Sequence, residues 1–397
     1  MKVITRSYLK DLIEVKGTPD IKIITGVRRS WKSQLLQSFQ EYLEETEPAT
    51  NIIAINFNLL EFDELQDYHK LHEYVQSHYQ EWKKNVVLID EIQLCDNFEL
   101  AINSLHAHEK YDIYLTGSNA FLLSSDLATL FTGRFFEIKI YPFSFKEFIE
   151  YYEYQDIHEA FKNYVFEWGM PWSYVYESEE KKYQYITEVY ETLIVKDIIQ
   201  RYKVKDVHLL ENLCNYLMDS ISNITTSRNI TNYLNSNGEN CNHVTISAYL
   251  NHLCKAFLFY KIKRYDIQWK NYLATQDKYY LVDHSFKYAT LGKKNINLWR
   301  VYENIVAIEL LRRWYKVYIW TMYAKEIDFV AMKQHEKIYI QVSSNIEDET
   351  TFQREVTPLL EIRDAYPKIL LANTNQDPYT YEWIQIIDIA QWLLGTP

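Results

Sequence analysis

Nine consecutive residues, Gly26-Val27-Arg28-Arg29-Ser30-Trp31-Lys32-Ser33-Gln34, have the spacing of a loop that cradles phosphate groups, G-x-x-x-x-G-K-[ST], with tryptophan at the second glycine. Backbone N–H groups of such a loop point inward and wrap the phosphates closely, so a side chain at that glycine competes for the same volume. Lys32 offers a point charge to the β- and γ-phosphates of ATP, and Ser33 a hydroxyl to Mg²⁺. Farther along, Asn85-Val86-Val87-Leu88-Ile89-Asp90-Glu91 is an apolar run closed by two carboxylates. Asp90 suits Mg²⁺, usually held through water, and Glu91 suits polarising the attacking water. Phosphoryl transfer asks mainly for positioning and charge neutralisation, so these few groups come close to sufficing. Arg28 and Arg29 either add to phosphate affinity or point outward to acids, and the sequence leaves both open.

These residues need a sheet to hold them. Ile21 to Ile24 is a β-branched run that reaches the loop at Gly26, and a helix is expected to begin near Lys32. Further strands are expected at 51–57, 85–91 and 111–119, separated by helical stretches. Apolar strands alternating with helices predict an α/β domain with a mainly parallel sheet and its ligand at the carboxyl ends of the strands. Ser118 or Asn119, closing the fourth strand, is then placed to sense the γ-phosphate.

The chain has 397 residues, 47% hydrophobic and 24% charged, which predicts a globular, soluble protein of two or three domains. No apolar run approaches the roughly 18 residues of a membrane span and no signal peptide is evident, so the expected location is the cytoplasm. Cys95, Cys214, Cys241 and Cys254 form no C-x-x-C pair and read as inert thiols. A formal charge of −12 argues against a whole-surface affinity for nucleic acid, though a local basic face remains open.

The ordered series GVRRS-x-KS, LIDEIQ, LTGSNAFLLSSDLATLFTGRF, YPFSFKEF, GMP, KDIIQRY, YENIVAIELLRR, KEIDFVA and IQV resembles the prokaryotic AAA-type ATPases that carry a carboxy-terminal domain of the restriction-endonuclease-like type. The resemblance implies three domains: a P-loop ATPase at 1–155, a helical and winged-helix domain at 156–270, and a PD-(D/E)xK nuclease-like α/β domain at 271–397. It implies ATP and Mg²⁺ as cofactors and leaves the oligomeric state open. Arg134 matches an arginine of the family pattern that contacts the γ-phosphate in cis or reaches a neighbouring subunit; a plain surface arginine is the alternative. In the middle segment a turn at Asn237-Gly238 and a helix from Thr245 to Ala256 are expected before a strand pair, and DNA or a protein is the partner this arrangement could engage. In the last segment Glu303 and Asp328 match the nuclease pattern, but Gln341 and Ser343 stand where an active enzyme has an acid and a lysine. A structural or recognition role is therefore expected there, without cleavage.

The same resemblance bears on Trp31. At the usual frequency a chain of this length would hold roughly 28 glycines, whereas this one has 8, beside 10 tryptophans. The family pattern has glycine at Trp31, Trp168, Trp299, Trp314 and Trp320, and Trp269 and Trp383 look similar. One substitution repeated while Lys32, Ser33, Asp90 and Glu91 are kept fits a UGA codon read as glycine in the source organism but written as tryptophan. Trp31, Trp314 and Trp320 are then expected in turns or caps with exposed rings. The rival account is that each tryptophan is real and the chain is a nucleotide-independent pseudo-ATPase that binds DNA or protein.

Overall fold

Five apolar segments become the strands Ile21–Gly26 (β1), Asn51–Asn56 (β2), Asn85–Asp90 (β3), Tyr111–Thr116 (β4) and Phe135–Ile140 (β5). They lie in the order β2-β3-β4-β1-β5, every neighbouring pair parallel. β1 and β3 are buried along their whole length, as strands covered on both faces must be. The helices Tyr8–Glu14 (α1), Lys32–Thr46 (α2), Tyr68–Ser77 (α3) and Phe98–Ala107 (α4) alternate with them. In α2, Leu35, Leu36, Phe39 and Leu43 recur at helical spacing and are buried. Asp67 starts α3 by accepting from the backbone N–H groups of His69 and Lys70. Parallel pairing sends the carboxyl ends of β1, β3 and β4 to one edge of the sheet, the edge at which such sheets hold ligands.

The structure, a computed structural model, describes residues 4, 6–117, 131, 133–167, 169–266, 271–293, 296–322 and 325–395. It divides into two compact units, Met1–Ile140 and Tyr141–Pro397. The second unit has a mixed eight-stranded sheet built from Phe259–Asp266 (β6), Asn271–Leu281 (β7), Lys316–Met322 (β8), Lys325–Lys333 (β9), Glu336–Ser343 (β10), Lys368–Ala372 (β11), Tyr379–Tyr381 (β12) and Ile384–Asp388 (β13). Its helices begin with Phe145–Tyr152 (α5), where Ser144 and Glu147 form a capping box. Ile157–Glu167 (α6) and Glu179–Thr192 (α7) follow, and α7 continues as a π-helix over Leu193–Gln200. After Val207–Asp219 (α8), Ser227–Ser236 (α9) and His243–Lys255 (α10) flank the expected turn at Asn237-Gly238 and lead into the β6-β7 hairpin. β6, from the segment expected to end at 270, thus shares a sheet with the strands that come after it.

Ser285–Leu291 (α11), Leu298–Arg312 (α12), Glu349–Leu360 (α13) and Ile389–Leu393 (α14) complete the unit. α12 is buried at every position from Val301 to Leu310, the pattern of a core helix. Its end is a Schellman closure: Tyr315 N–H donates to the Leu310 carbonyl at 3.0 Å and Trp314 N–H to the Leu311 carbonyl at 3.1 Å. Trp314 occupies the position in that motif that glycine ordinarily takes.

Among the described residues three tryptophans have left-handed backbone: Trp31 at φ 69°, Trp82 at φ 74° and Trp314 at φ 66°. An L-residue in that region costs roughly 1–2 kcal/mol, and a bulky one there is an outlier. Trp82, which the family resemblance did not single out, lies in a turn closed by Lys83 N–H to the Gln80 carbonyl at 3.4 Å. Trp82 is 95% exposed and Trp314 46% exposed. Trp314 thus meets the expectation of a cap with an exposed ring. Trp31 meets the backbone part only, since its ring is buried. Trp320 contradicts it: the residue lies within β8 and its ring is buried in a core with Ile327, Val330 and Tyr339. A strand position facing a core accepts an indole without backbone strain, so Trp320 shows no physical need for glycine. Trp299 sits in the first turn of α12, and Trp383 is exposed between β12 and β13. Trp168 and Trp269 lie outside the described residues.

Because neither the Trp82 nor the Trp314 ring is well packed, Trp82→Gly and Trp314→Gly should each stabilise the protein by about 1 kcal/mol through release of backbone strain. Denaturant titration of the two variants checks this. A loss of stability in both would mean that the rings contribute more than the left-handed backbone costs.

Candidate phosphate-binding site

β1 delivers Gly26 to the sheet edge at φ 147°, and a β-carbon there would lie 2.2 Å from the Ile140 carbonyl oxygen. Only glycine lets the chain leave β1 so close to β5. The loop then turns on itself: Ser30 N–H donates to the Val27 carbonyl at 3.3 Å, and Ser30 Oγ to the same oxygen at 2.8 Å. Arg29 and Trp31 both take left-handed backbone, and α2 starts at Lys32. The Lys32 ammonium folds back over the loop, donating to the carbonyls of Gly26 and Val27 at 3.0 Å each. Arg28 is half-buried, Arg29 exposed, Ser33 exposed and Gln34 half-buried. The loop is braced from outside by Arg6, a buried residue whose Nη1 donates to the Ser30 carbonyl at 3.0 Å. The sequence reading did not find Arg6, for a lone arginine ahead of a short amphipathic helix carries no spacing signal.

β3 carries Asp90 to the same edge. Burial pushes the Asp90 carboxyl above the ordinary aspartate range, against the opposing pull of the Thr116 and Ser33 hydroxyls and the Lys32 charge. Its Oδ1 accepts from the Thr116 hydroxyl, while Oδ2 is buried with no hydrogen-bond partner among the described residues. Glu91 follows at φ 58°, its N–H donating to Thr116 Oγ at 3.1 Å and its carboxylate accepting from the Gln93 amide. Thr116 therefore ties the ends of β3 and β4 together. Its importance follows from β4 lying beside β3 in the sheet, and strand order is not written in local sequence.

The structure brings Lys32, Ser33, Asp90 and Glu91 to one edge, and it does not bring Arg134 there. Arg134 precedes β5, and its carbonyl accepts from Ile21 N–H at the start of β1. From Ile21 to Gly26 the sheet runs roughly 16 Å, beyond the reach of an arginine side chain. A contact from Arg134 to phosphates in this loop in cis is thus ruled out by its place in the fold, and its side chain is exposed. Ser118 and Asn119, expected as sensors, lie outside the described residues.

An orphaned buried carboxylate oxygen next to a serine hydroxyl suits Mg²⁺, which takes one or two protein oxygens and keeps several waters. The loop suits phosphate in its glycine start, its turned backbone and its lysine. The indole at residue 31 does not suit it.

Comparison with known proteins agrees with this architecture. Residues 18–149 match the family described as AAA domain, and residues 158–297 match one described as Domain of unknown function (DUF8612). An uncharacterized protein of Haemophilus influenzae is 38% identical over 394 residues, 98% of each chain. An uncharacterized protein of Methanocaldococcus jannaschii is 27% identical, over 96% of this chain and 85% of its own. Among solved structures, the Aeropyrum pernix ORC1 protein in complex with DNA aligns over 73% of this chain and 93% of its own at 9% identity, with a TM-score of only 0.31. Among the described residues no helix is long and apolar enough to cross a membrane. The protein belongs to the same family as the Haemophilus influenzae protein, and its chain carries an AAA domain followed by a DUF8612 domain.

Proposed function

We propose that the first unit is a Mg²⁺-dependent ATPase whose native residue 31 is glycine, and that hydrolysis drives a rearrangement of the protein or of a bound partner. The observation that carries this reading is the orphaned, buried Asp90 oxygen beside a loop whose lysine folds back onto the Gly26 and Val27 carbonyls. In this reading the backbone of Gly26 to Ser33 holds the phosphates, and Lys32 leaves its two carbonyls to meet the β- and γ-phosphates. Ser33 and Asp90 would hold Mg²⁺, which would supply charge neutralisation at the phosphates. Glu91 orients the attacking water, and Thr116 keeps Glu91 and Asp90 in register. The helices α9 and α10 with the β6-β7 hairpin support a winged-helix reading and a DNA or protein partner.

In a chain made with glycine at 31, Asp90→Asn should reduce ATP turnover by about 100-fold or more and remove its stimulation by Mg²⁺. The raised pKa of Asp90 gives the parent protein a matching signature. Metal binding needs the ionised carboxylate, so stimulation by Mg²⁺ should fade on the acid side at a pH above the ordinary aspartate range. Turnover assayed against Mg²⁺ and pH checks both, and an Asp90→Asn protein with parental turnover would exclude this site.

One observation favours a second reading. The Trp31 ring is buried at the loop, so a chain that naturally has tryptophan there would be a nucleotide-independent module acting through DNA or protein contacts.

A further inference from the structure

The second unit contains a cluster of buried charges that the nucleotide reading does not use, and the inference drawn from it stands independently of that reading. Glu303 on α12 and Asp328 on β9 are the two acids that match the nuclease pattern, and a site of that kind holds a divalent metal between such carboxylates. The residues present do not fit a metal. Lys278, from β7, places its ammonium 2.7 Å from Glu303 Oε1 and 3.4 Å from Asp328 Oδ1, and also pairs with Glu326. Among the described residues no three acidic, histidine or cysteine side chains are disposed to hold a metal ion.

The arrangement is specific. An ammonium has three N–H donors, and three carboxylates meet it here, so Lys278 has no donor left to orient a water as a nuclease lysine must. Lys278 and Glu303 are almost completely buried, where a lone carboxylate would be strongly disfavoured. Glu303 Oε2 is buried with no hydrogen-bond partner among the described residues, while the other polar groups named here are committed. Tyr280 OH donates to Glu303 Oε1 at 2.6 Å, Val342 N–H to Asp328 Oδ2 at 2.9 Å, and the Gln341 amide to Glu355 Oε2 at 2.8 Å. Ser343, at the expected lysine position, turns to the Asn345 carbonyl at 2.9 Å. Lys278, Glu326, Asp328, Gln341 and Glu355 line the wall of an open cleft of about 790 Å³.

We propose that Lys278 is the resident cation of this cleft, its ammonium standing among Glu303, Glu326 and Asp328 in place of a divalent metal. The cleft then holds neither Mg²⁺ nor Mn²⁺ and cuts no phosphodiester, and the lysine, absent from β10, is supplied from β7 as a charge partner instead of a catalytic group.

The test uses the full chain in an Asp90→Asn background, so that the first unit's own metal site is silent. Without Lys278→Met, millimolar Mn²⁺ should leave the melting temperature unchanged and duplex DNA should stay intact. Lys278→Met should lower the melting temperature by about 10 °C, because it leaves buried carboxylates without a counter-charge. Mn²⁺ should then restore most of the loss, and Asp328→Asn added to Lys278→Met should abolish that rescue. Should Lys278→Met fail to fold, Lys278→Met with Glu303→Gln and Asp328→Asn should fold again, since the ammonium and both buried carboxylates lose their charge together. The proposal is overturned by Mn²⁺ stabilisation or DNA cleavage in the protein that retains Lys278, if Asp328→Asn removes either. It is equally overturned by a Lys278→Met protein of unchanged stability and no metal response, or by a protein with all three substitutions that stays unfolded.

Discussion

Trp31→Gly should tighten ATP binding by on the order of 100-fold, a change of ~2.7 kcal/mol. The left-handed backbone at residue 31 is already the one that glycine adopts freely, so the substitution asks for no rearrangement of the loop. What changes is the side chain, because a buried indole leaves the point at which loop N–H groups approach the phosphates. Lys32 then gains a phosphate partner in place of the Gly26 and Val27 carbonyls, a charge-assisted contact stronger than either. Calorimetric titration of both chains with ATP and Mg²⁺ reads the effect. Equal affinity would show that the indole does not obstruct the site.

Glu91→Gln in the glycine form should keep ATP bound while reducing turnover by about 10²–10³-fold. The glutamine preserves shape and the N–H bond from residue 91 to Thr116 but cannot accept a proton from the attacking water. Asp90, Ser33 and Lys32 are untouched, so affinity should stay within a few-fold of the parent. Single-turnover hydrolysis measured beside binding separates the two effects. Loss of binding with turnover would instead make Glu91 part of the nucleotide cradle.

Local features of the first unit were readable because they depend on short stretches of sequence. Ile21 to Gly26 is a strand because its β-branched residues are buried on both faces, and the spacing from Gly26 to Ser33 follows from how a loop must turn to enter a helix. The arrangement of the strands was not readable in the same way. Thr116 reaches Asp90 only because β4 lies next to β3, and Arg134 fails to reach the loop because it enters β5 at the opposite end of the sheet.

Two other outcomes depended on tertiary packing. Lys278 satisfies carboxylates 25 and 50 residues away, which no motif spacing would reveal. The tryptophans divide by backbone geometry: Trp31, Trp82 and Trp314 have the conformation that glycine favours, whereas Trp320 is an ordinary core residue in a strand. Family pattern alone placed Trp320 with the first group and missed Trp82. Positive φ therefore separates tryptophans whose backbone suits glycine from Trp320, whose backbone does not, a division that the pattern did not make.

The central claim is that the loop is a working phosphate cradle because the native protein has glycine at position 31. Peptide mass spectrometry of the protein purified from its own host tests this most directly. The account predicts a peptide from Val27 through Ser33 with the mass of glycine at residue 31, and glycine likewise at residues 82 and 314. An intact tryptophan at residue 31 would contradict it and leave the first unit as an ATPase-shaped scaffold.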